Sequence, residues 1–142
     1  MLEILKSFSE EEILSTLPGN MESMVNTLQT SGASIDDIGI NLSSNPSFGL
    51  APKGAQKWNE GLYERIKIEV REIICTDSEK YKELRESLKT EAKIATNVII
   101  SAISGYVGKE IGVSAAICVP FVVLSIIAIL RATTEAILNS GN

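Results

Sequence analysis

The feature that most restricts this chain is a run from Ile111 to Leu130 (IGVSAAICVPFVVLSIIAIL) without a single charged residue. At a rise of about 1.5 Å per residue, about 20 apolar residues suffice for a helix to cross a bilayer. The run also lacks the polar face that a surface helix of a soluble protein normally keeps. It therefore predicts a helix covered on all sides, either by lipid or by protein.

The segment before it bears on the choice. Ile94–Gly108 (IATNVIISAISGYVG) is also uncharged, and Lys109-Glu110 supplies the only charges before Arg131. The pair of segments reads as an antiparallel hairpin. Lys89, Lys93 and Arg131 would lie at its base and Lys109-Glu110 at its tip, the basic flanks of an inward-facing membrane hairpin. Ser101 and Gly105, and likewise Ser104 and Gly108, stand four residues apart, a spacing that lets helices approach closely. Against this, 15 residues reach only about 22 Å as a helix, short of a ~30 Å hydrocarbon core. The arm also carries Thr96, Asn97, Ser101 and Ser104.

The preceding sequence offers protein cover. Trp58, Leu62, Tyr63, Ile66, Val70, Ile73 and Ile74 recur at helical spacing among charged residues, which predicts a strong amphipathic helix. Thr76-x-x-Glu79 suggests a capping box and a sharp turn near Cys75. A second stripe follows (Tyr81, Leu84, Leu88, Ala92, Ala95), with Lys80, Lys82, Glu83, Arg85, Glu86 and Lys89 on the opposite face. That helix is expected to continue through Gly108. Nearer the N-terminus, Ser9-x-x-Glu12 is a capping box, and Pro18-Gly19 and Gly32 end short helices. Ser34 can cap one more turn, with Asp36 and Asp37 at its positive end. Residues 39–56 are rich in glycine, proline and polar groups and read as a linker, with Phe48 an anchor on the core.

Chemistry is conspicuous by what is missing. The chain has no histidine, which removes the commonest general base and metal ligand. Gly108-Lys109 ends like a phosphate loop, but Ile103 replaces the first glycine and Glu110 the final hydroxyl residue. Glu10-Glu11-Glu12 and Asp36-Asp37 are explained by helix N-termini. No catalytic, cofactor or metal site and no small-molecule substrate is expected. A net charge of −5 argues against nucleic acid. Lys53, Lys57 and Arg65 beside Trp58 are offset by Glu60, Glu64 and Glu69, as on a solvated face. Cys75 and Cys118 are distant and unlike in setting, which suits free thiols in a reducing compartment. The acidic start (MLEILKSFSEEE) is unlike a signal peptide.

The sequence thus predicts one all-α domain, a small helical bundle whose two long C-terminal helices form an antiparallel apolar hairpin. Its parts are short helices in 1–38, a linker in 39–56, an amphipathic pair running into an apolar segment in 57–108, and an apolar helix with a polar tail in 109–142. The expected function is non-catalytic. In one reading the hairpin inserts in a membrane as an anchor, pore former or effector, at the inner face of the cytoplasmic membrane. In the other the protein is a soluble interaction module, forming a homo-oligomer or joining a larger protein. Ile111, Val119, Phe121, Val123, Ile126, Ile127 and Leu130 are the candidate membrane or interface residues. Ser101, Gly105, Ser104 and Gly108 are the candidate helix-contact residues.

Overall fold

The computed structural model describes residues 1–44, 61–90 and 94–140. Phe48, Trp58, Ala92 and Lys93 lie outside the described residues, and so does most of the expected linker. Among the described residues there are eight α-helices and no strand: α1 (Leu2–Lys6), α2 (Glu10–Leu14), α3 (Met21–Thr30), α4 (Ile35–Ser44), α5 (Leu62–Cys75), α6 (Lys82–Lys89), α7 (Thr96–Ile111) and α8 (Ala115–Ser140). The fold is the expected all-α bundle, and α7 and α8 pack against each other as its apolar hairpin.

The N-terminal signals act as their chemistry requires. Ser9 Oγ accepts the Glu12 N–H at 3.1 Å, and the Glu12 carboxylate accepts the Ser9 N–H at 3.1 Å. Ser34 Oγ accepts the Asp37 N–H at 3.0 Å and opens α4. That helix is ten residues long and not the single turn expected. Residues 39–44 are therefore helix and not linker, because Leu42 packs into the core. Gly19 and Gly32 take φ of 57° and 101°, a left-handed region open to glycine at little cost.

Thr76 behaves differently from the expected capping box. It closes α5 instead of opening a helix, its hydroxyl donating to the Glu72 carbonyl at 2.6 Å. A 3-10 turn, Glu79–Tyr81, then leads into α6. Arg85, expected on the solvated face, is buried and only 6% exposed. Its Nε donates to the Ile73 carbonyl at 3.0 Å and its Nη2 to the Ser78 carbonyl at 2.8 Å. The last carbonyls of a helix have no intrahelical donor, and the guanidinium supplies one at the end of α5.

The long helix expected from Tyr81 to Gly108 is two. α6 ends at Lys89, and α7 begins after an extended Ala95 (φ −70°, ψ 146°). Ala95 is exposed, and so small a side chain buries too little to hold one helix through the junction. α7 in turn outlasts its apolar run and takes Lys109, Glu110 and Ile111 into its last turn. Gly112, at φ 79°, ends it, and the Gly112 and Val113 N–H groups both reach the Gly108 carbonyl at 2.9 Å. Ile111 therefore belongs to the first arm, and the 20-residue run is divided by a turn.

α8 is longer than the run that predicted it, because the expected polar tail is helical as far as Ser140. Pro120 sits inside it. The missing N–H deprives only the Ala116 carbonyl, and Ala116 is exposed, so water can satisfy it. Phe121, Val122, Val123, Leu124, Ile126 and Ile127 are all 0% exposed. α7 and α5 make the largest contacts with α8, and α4 and α2 cover more of it.

Candidate functional site

The hairpin combines a buried side with an outer side of unusual chemistry. On α5 the exposed positions are mostly charged, including Glu64, Arg65 and Arg71, as a water-facing helix requires. On α7 the exposed positions from Asn97 to Gly105 are Asn97, Val98, Ser101 and Gly105, and Val98 is 49% exposed. At the start of α8, Ala115 and Ala116 are exposed, and Ile117 and Val119 are half-buried. Only Lys109 and Glu110, both exposed at the turn, charge this surface before Arg131.

Phe121, Val123, Ile126 and Ile127 point into the bundle. Ile111, Val119 and Leu130 are half-buried at its edge. The four small residues of α7 fall on two faces. Ser104 and Gly108 are buried, while Ser101 and Gly105 are exposed. A Cβ on Gly108 would collide with the Val113 backbone oxygen, so this glycine is needed by the hairpin turn itself. A Cβ on Gly105 would meet nothing within 4 Å. Ser104 Oγ is buried with no hydrogen-bond partner among the described residues.

Among the described residues, α8 alone is long and apolar enough to cross a bilayer by length and composition. That stretch, Ala115–Thr134, is 20 residues long, and 56% of its most apolar 18-residue window is buried. Where it is not buried, it stays uncharged up to Arg131.

Two polar clusters tie the hairpin to its cover. Near the far end of α8, Arg131 makes a two-pronged pair with Glu10 of α2, Nε–Oε1 at 2.7 Å and Nη2–Oε2 at 2.8 Å. Its Nη2 also donates to Gln29 Oε1 of α3 at 2.9 Å. The Arg131 hydrogen bonds hold the Glu10 carboxyl below its ordinary value of 4.5, against an opposing effect of burial. Lys6, Phe8 and Leu130 join Glu10 and Arg131 around a groove of about 360 Å³. At the hairpin tip, Lys80 Nζ lies 3.0 Å from Glu110 of α7 and 2.6 Å from Glu69 of α5, with Glu72 at 3.9 Å. Tyr81 donates to the same Glu69 oxygen at 2.7 Å. Burial and that carboxylate push the Tyr81 hydroxyl well above the ordinary tyrosine range.

A third cluster stays within the cover. Asp36 Oδ1 of α4 accepts from Tyr63 at 2.6 Å and from Lys67 at 2.8 Å, both on α5. Burial raises the Asp36 carboxyl, but the Lys67 and Tyr63 hydrogen bonds and the charges of Lys67 and Arg71 outweigh it and leave it below its ordinary 3.8. None of these ties was legible in the sequence, since each joins residues distant along the chain. Among the described residues no group of three carboxylate or thiol side chains is arranged to hold a metal. Comparisons with protein-family models, with curated proteins and with solved structures find no match to this chain.

Proposed function

We propose that the protein is a non-catalytic helical module that inserts its α7–α8 hairpin into a membrane, as an anchor, pore former or effector. The bundle is then the form in which α8 is kept from water. One observation supports this reading: between Thr96 and Leu130 the positions of the hairpin that the bundle leaves uncovered carry no charge except Lys109 and Glu110 at the turn. A helix selected only to fill a soluble core has mostly charges where it meets water, as α5 does at Glu64, Arg65 and Arg71, although Ile68 on the same helix is 64% exposed. Transfer into hydrocarbon requires those positions to be free of charge. The apolar stretch of α8, Ala115–Thr134, is 20 residues and reaches about 30 Å, enough to span. α7, at 16 residues, reaches about 24 Å and calls for local thinning of the bilayer.

The enclosure of Phe121–Leu124 favours a second reading, a soluble assembly module whose uncovered hairpin face meets another protein. Fractionation of cells expressing the full chain separates the two. Insertion predicts that the protein stays in the membrane pellet through a carbonate wash. A monodisperse species confined to the supernatant refutes it.

A further inference from the structure

Both ties between the hairpin and its cover depend on a carboxylate. Glu110 holds the hairpin tip to Lys80, and Glu10 holds α8 through Arg131. Around Lys80 stand Glu69 and Glu72 from α5, with Lys109 beside Glu110 on its own helix. Around Glu10 stand Arg131 of α8, Lys6 of α1, and Glu11 and Glu12 on its own helix. With no histidine in the chain, nothing in these clusters other than a carboxylate changes charge on mild acidification.

Neutralising Glu110 does two things at once. It breaks the tie to Lys80, and it removes a charge from the tip that must enter the bilayer first. Neutralising Glu10 frees Arg131 from its bidentate partner. The bulk charge moves the same way. The chain carries 18 acidic and 13 basic residues, so protonating more than five carboxylates reverses its sign and replaces repulsion from an anionic membrane by attraction.

We infer that the bundle releases its α7–α8 hairpin onto anionic bilayers at acid pH, with Glu110 and Glu10 the carboxylates whose protonation unlocks it. This rests on the membrane reading above. Because the Arg131 hydrogen bonds hold the Glu10 carboxyl below its ordinary 4.5, release falls at acid pH below that value and not near the histidine range of about 6.5.

The test is flotation of the full chain with vesicles of phosphatidylcholine alone, or of equal parts phosphatidylcholine and phosphatidylglycerol, from neutral pH down to about pH 3. The expected result is flotation with the anionic vesicles only, rising steeply on acidification. Glu110→Gln and Glu10→Gln should each move the midpoint to higher pH. Glu22→Gln, half-buried at the start of α3 and part of neither tie, should leave it in place. Equal flotation at neutral and acid pH overturns the acid release and leaves the membrane reading standing. Midpoints of Glu110→Gln and Glu10→Gln that match Glu22→Gln overturn the assignment to these two residues. No flotation at any pH, with circular dichroism showing the helices formed, overturns both the inference and the reading beneath it.

Discussion

Replacing Ser104 with alanine should stabilise the bundle, although it removes atoms from the core. Ser104 is 0% exposed, and its hydroxyl has no hydrogen-bond partner among the described residues. A buried hydroxyl without a partner costs about 1–3 kcal/mol relative to water. Alanine also has the better helix propensity, by roughly 0.5 kcal/mol. The void left by one oxygen is smaller than a methyl group and offsets less than about 1 kcal/mol. Ser101→Ala isolates the propensity part, because Ser101 lies one turn earlier on α7 and is exposed. Ser104→Ala should therefore exceed Ser101→Ala by about 1–2 kcal/mol. Urea unfolding followed by circular dichroism measures both, with the midpoints compared at a common slope. A destabilised Ser104→Ala, or a gain no larger than that of Ser101→Ala, would refute the claim that this hydroxyl is unpaired and costly.

The two exposed-versus-buried glycines of α7 should respond with opposite signs. Gly108→Ala forces its Cβ against the Val113 carbonyl and should destabilise by roughly 2 kcal/mol or more, whereas Gly105→Ala fills open space in a helix interior and should gain up to about 1 kcal/mol; thermal melts of the pair read this out. Arg85→Leu leaves the Ile73 carbonyl without its donor and should cost about 1–3 kcal/mol, a loss that Arg85→Lys only partly restores because the fork geometry is gone. The pH dependence follows from Glu10 and Asp36, whose folded carboxyls lie below their ordinary 4.5 and 3.8. Their contribution to stability is fully present above those values and is lost as pH falls through the lower folded ones. Melting temperature should be nearly flat from neutral pH down to about 5 and fall below it, and Glu10→Gln with Asp36→Asn should flatten that fall. A wild type whose melting temperature does not fall below about pH 5 would contradict the reasoning.

Much of the helix inventory was legible because it depends on local signals. The Ser9 box, the Ser34 cap and the glycine stops are interactions within a few residues, and the stripe from Leu62 to Ile74 is a periodicity. The failures share a cause. Thr76 and Arg85 were misassigned because what they satisfy, the exposed carbonyls ending α5, becomes a demand only once α5 ends and α6 folds back beside it. The single helix expected through Ala95 is broken there, where the exposed Ala95 is extended and holds nothing against the core, a break that periodicity does not mark. The polar tail was read as a stop, although polar residues can extend a helix whose first half is anchored in a core.

The uncharged stretch ending at Leu130 stood out from the sequence alone, since its length and lack of charge call for cover by lipid or protein. Its internal division was decided by tertiary structure. Gly112 turns the chain, Ile111 joins the first arm, and α8 begins at Ala115. Which positions face inward was decided there as well. Phe121, Val123, Ile126 and Ile127 are enclosed by α2, α4, α5 and α7, while Val98, Ser101, Gly105 and Ala116 remain outside. Composition cannot make that distinction, because an all-apolar helix has no polar face to mark its orientation. Only the neighbouring helices, and the carboxylates that tie them down, select which side of the hairpin is covered.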